Sequence, residues 1–207
     1  MSHTTGVRQA QKQRTRQALL DAALVLLEDQ SLNSLGLREV TRAVGIAPTA
    51  FYRHFSDTAD LGVALVDQAL GSLHGTIRTT LAATGDTEER IAGTVALIAA
   101  LVREFPAHVR FLARERHGGV ELVRDAIGEQ LERFAREVAD ELATHPDTAG
   151  WERQDLLMLA GLYVDHMVMT ASAFLAAGPD AAAQERVAQV ARRRLRLVAL
   201  GSRHWLD

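Results

Sequence analysis

The side chains best suited to chemistry in this chain gather in one short basic and aromatic segment. Tyr52, Arg53 and His54 are adjacent there, and Arg38 and Arg42 precede them. Guanidinium, imidazole and phenol groups donate hydrogen bonds to phosphate oxygens and so fix a protein on a nucleic-acid backbone. The segment therefore predicts a phosphate-binding surface, whose chemistry is recognition rather than bond breaking.

Two short helices must position these groups, and the apolar residues show where those helices run. Leu37, Val40 and Val44 are spaced by three and four residues, and Gly45 then ends the first helix as a left-handed cap. Pro48 begins the second helix, at a position where no amide hydrogen is needed. Two crossed helices joined by a glycine turn predict a helix-turn-helix, whose second helix enters the major groove of DNA.

Small outward-facing residues at the start of the second helix allow its backbone to approach the groove floor. Thr49 can hydrogen-bond a base edge or a phosphate, and Ala50 can pack against a thymine methyl group. Glycine-linked helix pairs occur in any helical protein, but here three of the chain's ten aromatic residues fall within five positions, beside Arg53 and His54. The predicted DNA contacts are Arg38, Thr41, Arg42, Ala47, Pro48, Thr49, Ala50, Tyr52, Arg53 and His54.

The charge distribution favours a nucleic-acid-binding head. The whole chain has a net charge of −3, which by itself argues against nucleic acid. Residues 1–55, however, hold seven basic and four acidic residues, whereas the rest of the chain holds sixteen basic and twenty-two acidic ones. A basic head on an acidic body is expected of a protein that places one end on phosphate.

The whole chain has a helical pattern, because Ala, Leu, Glu and Arg dominate and no run alternates with a period of two. We expect an all-α fold of about nine helices, three in the head and six in the body. Ser34 is expected to cap the second helix, and Asp57 together with Asp60 is expected to cap the fourth helix. Gly85 and Asp86 are expected to separate the fourth helix from the fifth. The predicted helices span about residues 9–28, 37–44, 48–55, 58–77, 87–103, 106–116, 120–143, 151–176 and 181–200.

Composition and motifs exclude several functional classes. The chain has no cysteine, so disulfides, thiolate metal sites and cysteine nucleophiles are excluded, and a cytoplasmic location is favoured. It has no phosphate-binding loop, no histidine pair at metal-ligand spacing and no nucleophile elbow, so we expect no catalytic residues, no metal and no cofactor. Residues 1–16 lack the apolar core of a signal peptide, and the longest apolar run, residues 94–102, is too short to span a bilayer.

The head carries a signature more specific than a generic helix-turn-helix. Its pattern is Leu37-x-x-Val40-x-x-x-x-Gly45-Ile46-x-x-x-x-Phe51-Tyr52-x-His54-Phe55. The first helix adds Thr15-Arg16 followed by Leu20-x-x-Ala23. Together these motifs, which cover roughly residues 12–65, resemble the N-terminal domain of the TetR family of transcriptional repressors.

This resemblance implies a DNA-binding domain over residues 1–56, joined by the fourth helix to a ligand-binding and dimerisation domain over residues 57–207. Many members have alanine where this chain has Thr41 and Val44, which changes the packing slightly. Many also have a phosphate-binding lysine where this chain has Thr58, so we expect one phosphate contact fewer and a shallower salt dependence. The residues that match the family's DNA contacts are Arg38, Thr49, Tyr52 and His54, with Pro48 and Ala50 at the helix tip.

The eighth and ninth helices carry long apolar faces with small residues that allow close approach. Such faces suit either packing within one chain or a four-helix seam between two copies, and the family resemblance favours the seam. The two-fold axis of a homodimer would match a palindromic DNA operator. The predicted dimer-interface residues are Leu157, Gly161, Val164, Val168, Val187, Val190, Leu195 and Leu197.

A ligand cavity is expected among the fourth, fifth, sixth, seventh and eighth helices. Methionines and long aliphatic side chains there suit a flexible apolar ligand, although each of these residues taken singly fits a core role as well. His166, beside Asp165 in an apolar helix, is interpreted as a hydrogen-bonded core or pocket histidine. The predicted lining residues are Leu65, Leu101, Phe105, Phe111, Leu112, Arg114, Leu131, Phe134, Met158, Leu162, His166 and Met167.

A narrower resemblance concerns the effector. Residues 45–55 and 110–116 are similar to the subgroup that controls unsaturated fatty-acid synthesis and senses fatty acyl-CoA thioesters. This similarity implies an acyl-chain tunnel, with Arg114 or Arg116 near an anionic head group or the signalling path. The alternative is that residues 114–116 are simply the solvated end of a helix. We expect a homodimeric repressor that binds double-stranded DNA and an apolar effector such as acyl-CoA, without a membrane. The alternatives are a regulator of a drug-efflux or catabolic operon that senses another hydrophobic molecule, and a helical adaptor without DNA affinity.

Overall fold

The chain forms an all-α structure in a computed structural model that describes residues 3–81 and 86–205, with side chains from residue 6 onward except at 72–81. The described residues contain nine α-helices and no strand, which confirms the predicted fold class. Two short 3-10 turns, Leu32–Ser34 and Pro146–Thr148, connect helices. The helices are α1 (His3–Leu26), α2 (Leu37–Val44), α3 (Pro48–Phe51), α4 (Thr58–Leu81), α5 (Thr87–Glu104), α6 (Pro106–Glu115), α7 (Glu121–Leu142), α8 (Arg153–Ala177) and α9 (Ala181–Ser202).

Local hydrogen bonds set the limits of α2. Gly45 takes a φ of 74°, the left-handed conformation that ends this helix as predicted. Ser34 does not cap it, because Ser34 lies in the preceding 3-10 turn. Instead the Gly36 amide donates to the Glu39 carboxylate at 3.2 Å, which satisfies one unpaired donor at the start of the helix. The predicted break at Gly85 lies outside the described residues.

The ends of α3 and α4 also follow from local contacts. The Asp60 amide donates to the Asp57 carboxylate at 2.8 Å, and the Ser56 amide donates to the Asp60 carboxylate at 2.8 Å, so the predicted cap of α4 by Asp57 and Asp60 is confirmed. α3 ends at Phe51, four residues earlier than predicted. The chain continues as a turn in which the Phe55 amide donates to the Phe51 carbonyl at 3.1 Å.

One compact unit, which we call the head unit, combines residues 1–69 with residues 110–127. Phe51 is fully buried in it, as are Phe111 from the end of α6 and Val123 from the start of α7. A single division of the sequence at residue 56 therefore does not describe this packing, because two distant segments share one core.

A charged side chain fastens the end of α6 to the end of α1 within the head unit. The Arg114 guanidinium donates to the backbone carbonyls of Leu27 at 2.9 Å and Glu28 at 3.2 Å, and also to that of Gln30. Carbonyls at a helix C-terminus have no partner within the helix, and Arg114 supplies one. The neighbouring Glu115 is buried and accepts a hydrogen bond from the backbone of the first 3-10 turn at 2.9 Å.

The other compact unit, the body unit, comprises residues 70–109 and 128–207. Its core joins α5, α7, α8 and α9 through buried residues such as Val95, Phe134 and Val164. By length and composition alone α8 is apolar enough to cross a membrane. It packs against α5 and α9, however, and the core helix of a soluble protein passes the same composition test.

Candidate nucleic-acid interface

A tight turn presents α3 to solvent. The Ile46 amide donates to the Thr41 carbonyl at 3.0 Å and closes α2, and Pro48 occupies the first position of α3. Phe51 and Phe55 are buried in the head unit, with their ring centroids 5.6 Å apart. Because these two side chains anchor one side of the α3 region, its other side faces outward.

The outward face of α3 is open and made of small residues. Ala47, Pro48 and Thr49 are exposed, and Ala50 is half-buried. Tyr52 is 63% exposed, and its ring packs edge-on against a core phenylalanine with 5.9 Å between the centroids. A narrow face of this kind fits a major groove, with Thr49 near the bases and the Tyr52 hydroxyl near a phosphate.

A cationic edge beside this face is formed by Lys12 and Arg16 from α1 and by Arg53 from the turn after α3, which surround His54. The Arg16 guanidinium lies 4.6 Å from the centroid of the Phe55 ring, which holds it by a cation–π contact. Burial, followed by the charges of Lys12, Arg16 and Arg53, lowers the pKa of His54 below its ordinary value. The Nδ1 atom of His54 is buried and has no hydrogen-bond partner within the described structure. This concentration of positive charge attracts phosphate groups.

The predicted contacts from α2 divide into two kinds. Arg38 and Arg42 are exposed and available to DNA. Thr41 is only 1% exposed, and its hydroxyl donates to the carbonyls of Leu37 at 3.1 Å and Arg38 at 3.3 Å in its own helix. The prediction of a DNA contact from Thr41 is therefore corrected, since this side chain packs inside the head unit.

Two members of the cationic edge were absent from the predicted contacts. Lys12 and Arg16 are four residues apart, a spacing that places both on one face of α1. That spacing was visible in the sequence, but the arrangement of this face around His54 depends on how α1 packs.

Four predicted ligand-lining residues belong to the head unit, so they lie apart from the cavity of the body unit described below, and their role in ligand binding stays a prediction. Leu65 and Phe111 are fully buried in its core, and Leu112 is half-buried. Arg114 is bonded to the end of α1. These side chains hold the head unit together.

The body unit contains a cavity of about 200 Å³ between α5, α7, α8 and α9. Met167 lines this cavity, and it is the one predicted lining residue that does so. The other predicted residues of this unit do not line this cavity, and their role in ligand binding stays a prediction. They are the core or half-buried residues Leu101, Leu131, Phe134 and His166 and the exposed residues Phe105, Met158 and Leu162.

His166 is held inside the body unit by hydrogen bonds. Its Nε2 atom lies 3.2 Å from the Ala191 carbonyl oxygen and 3.5 Å from the Thr170 hydroxyl. Burial lowers the pKa of His166, while the bond to Ala191 opposes that shift. A neutral imidazole that donates to a carbonyl in this way joins α8 to α9.

The predicted dimer-interface residues fall into groups of different exposure. Val164 and Leu195 are buried within the body unit, so for them the prediction is corrected to packing inside one chain. Leu197 is 71% exposed and faces away from that core. The remaining residues, which are exposed or half-buried, are Leu157, Gly161, Val168, Val187 and Val190.

A family model matches the segment that carries the candidate interface. Residues 19–65 match the model described as bacterial regulatory proteins, tetR family. The matched residues run from the middle of α1 through α2 and α3 into α4, so they include the complete helix-turn-helix.

Solved structures of several regulators share the fold of the chain. FadR from Bacillus subtilis in complex with stearoyl-CoA gives a TM-score of 0.70 at 13% identity, over 89% of this chain and 98% of that chain. FadR from Bacillus halodurans gives a TM-score of 0.70 at 15% identity, over 87% of this chain and 94% of that chain. The TetR-family regulator PfmR from Thermus thermophilus gives a TM-score of 0.60 at 17% identity, over 87% of this chain and 96% of that chain. The chain therefore shares its fold with these regulators, and its head contains the segment that the tetR-family model describes.

Proposed function

We propose that the chain is a DNA-binding regulator of the tetR family, namely a cytoplasmic repressor that binds a palindromic operator as a homodimer and responds to an apolar effector such as a fatty acyl-CoA. The proposal of DNA binding is supported by the outward face of α3 together with the cationic edge beside it. Small residues such as Thr49 can face the bases, while Tyr52, Arg53 and His54 can hold phosphate oxygens and fix the register.

Fluorescence anisotropy with labelled DNA from upstream of the chain's own gene tests this interface. We expect Thr49→Ala and Tyr52→Ala to weaken binding, and Arg53→Ala to reduce the salt dependence by about one unit of slope. Arg136→Ala is the matched control, since it removes the same charge from an exposed site on α7 in the body unit. Absence of binding to any upstream DNA at low salt would reject the proposal and favour a helical adaptor.

Exposed apolar side chains on α8 and α9 support the homodimer. Met158, Leu162 and Met169 are exposed and recur on α8 at spacings of four and seven residues, so they share one face. Val190 and Leu197 are likewise exposed and seven residues apart on α9. Apolar surface of this kind marks an interaction site. A two-fold dimer built on it would present two α3 helices to half-sites about 34–36 Å apart, or a multiple of that distance.

Sedimentation velocity of Leu162→Glu tests the dimer. The wild-type protein should sediment as a particle of twice the 22.6 kDa chain mass, and the variant as a single chain, because a buried carboxylate in the seam is strongly unfavourable. Leu122→Glu is the matched control, since Leu122 is 61% exposed on α7 in the head unit. If Leu162→Glu stays dimeric, the seam does not lie on this face.

Two observations support an apolar effector. FadR from Bacillus subtilis, which shares the fold, was solved with stearoyl-CoA, and the body unit of this chain contains a cavity with largely apolar walls. An effector that changes the affinity for DNA must have its own affinity changed by DNA by the same factor. α4 runs from the head unit into the body unit and is a natural lever for this coupling.

Titration of the protein–DNA complex with acyl-CoAs of several chain lengths tests the effector. Either a loss or a gain of anisotropy that depends on chain length supports acyl-CoA sensing. A response only to unrelated hydrophobic compounds would instead favour a regulator of a drug-efflux or catabolic operon.

A further inference from the structure

The first turns of α1 lie outside the core of the head unit. Residues 6–14, which we call the arm, are all exposed, and burial of α1 begins only at Leu19. Helical segments this short are marginal in water unless tertiary packing supports them. The arm buries no apolar face against the part of the chain that the structure describes, so its surface is available to another molecule.

The arm carries most of a stripe of like charges. Arg8, Lys12 and Arg16 follow one another at spacings of four residues, which places them on one side of α1. Like charges at this spacing destabilise a helix, and no acidic residue precedes Asp21 to offset them. Among the described residues, neither Arg8 nor Lys12 has a partner in a hydrogen bond or an ion pair. An anionic partner would relieve the repulsion along this stripe.

The stripe runs into the candidate nucleic-acid interface. At its inner end, the Arg16 guanidinium lies 4.6 Å from the centroid of the Phe55 ring. Burial, followed by the charges of Lys12 and Arg16, lowers the pKa of His54, so the middle of the stripe is also close to the turn after α3. Arg8 lies about one turn farther along α1, and the stripe therefore continues the cationic edge away from α3.

The length of the stripe suits the phosphate backbone of a duplex. A helix rises about 1.5 Å per residue, so the stripe from Arg8 to Arg16 covers about 12 Å. One strand of DNA carries a phosphate about every 3.4 Å along the duplex axis. A stripe of this length can therefore face about three to four phosphates of one strand.

We propose that the arm binds the phosphate backbone of duplex DNA through Arg8 and Lys12, beyond the base pairs that α3 faces and without reading sequence. This inference rests on the proposed function, which places the head unit on DNA, and it adds a second contact region to that interface. Duplex DNA is favoured over other polyanions because the stripe is continuous with the cationic edge beside α3.

Fluorescence anisotropy titrations with the upstream DNA at several salt concentrations test the arm. Each phosphate contact contributes about 0.9 units to the slope of log K against log salt concentration. Arg8→Ala should therefore make this slope shallower by about 0.9 units for each bound chain. Arg8→Lys should keep the slope, because the positive charge is retained.

Arg14→Ala is the matched control for Arg8→Ala. It removes the same exposed guanidinium group from the same arm, but on a side of the helix about 160° from Lys12. We expect it to leave the salt dependence unchanged. Circular dichroism confirms that the variants keep the helix content of the wild type.

Scrambled DNA of the same length separates the arm from α3. Arg8→Ala should weaken binding to the upstream DNA and to the scrambled DNA by the same factor, since both carry the same phosphates. Thr49→Ala should instead reduce the preference for the upstream DNA. In hydroxyl-radical footprints, the Arg8→Ala complex should lose protection at positions that stay protected in the Arg14→Ala complex.

The proposal is overturned if folded Arg8→Ala keeps the wild-type slope, or if Arg8→Ala and Arg14→Ala change it equally. Co-sedimentation with phosphatidylglycerol vesicles tests another anionic surface. If Arg8→Ala weakens only vesicle binding, the arm belongs to a lipid surface and the proposal also fails. Wild-type DNA binding with any of these results rejects the arm alone, whereas absence of DNA binding by the wild type at low salt rejects the proposed function itself.

Discussion

Replacement of Arg114 by methionine is expected to destabilise the head unit by about 3 kcal/mol. Methionine keeps much of the aliphatic bulk but cannot donate to the carbonyls at the end of α1. The bonds to Leu27 and Gln30 are partly buried, whereas the bond to Glu28 is exposed and can be replaced by water. A hydrogen bond that involves a charged group contributes about 1.5–3 kcal/mol, so the lower value for each of the two partly buried bonds gives the estimate.

Urea unfolding followed by circular dichroism measures this loss, and thermal unfolding should show a midpoint lower by about 6–12 °C for a chain of this size. Arg110→Met is the matched control, one turn earlier on α6. Arg110 pairs with Glu28 at 3.1 Å, with side chains that are 35% and 46% exposed, so its removal should cost no more than about 1 kcal/mol. Equal losses for the two variants, or a loss below about 1 kcal/mol for Arg114→Met, would refute the idea that Arg114 fastens α6 to α1.

Three further outcomes follow from the structure. DNA phosphates should raise the lowered pKa of His54, so affinity for DNA should increase as the pH falls into the range where this imidazole takes up a proton, and His54→Gln should flatten that increase in anisotropy titrations. Gly62→Ala should lower stability by about 1–2 kcal/mol in urea, because its Cβ would lie 2.4 Å from a buried leucine, whereas Gly71→Ala in the same helix meets nothing within 4 Å and should be neutral or stabilising. The unfolded chain binds a proton at His166 more readily than the folded chain does, so this group's contribution to stability should be lost as the pH falls below about 6.5. The free energy of unfolding of His166→Gln, measured in urea, should therefore depend less on pH in that range.

The helix-turn-helix could be predicted because its signals are local. The cap at Gly45 and the cap of α4 by Asp57 and Asp60 depend on residues within about four positions along the chain, and such contacts leave their pattern in the sequence. The outward face of α3 follows from the same periodicity, since Phe51 and Phe55 occupy the core side.

The placement of Arg114 and Phe111 could not be predicted in the same way. Both are on α6, more than eighty residues from the end of α1, and both belong to the head unit. Helical spacing shows that one side of α6 is apolar, but it does not show which distant segment covers that side. The same ambiguity explains why Thr41 was expected to contact DNA although its side chain is buried.

Local periodicity, capping residues and charge were enough to establish an all-α chain with a basic helix-turn-helix head, because each depends on near neighbours or on composition. Only the tertiary structure decided that α6 and α7 contribute to the head unit and that the cavity of the body unit lies among α5, α7, α8 and α9. These features are contacts between residues far apart in sequence, and their geometry is set by how whole helices pack against one another.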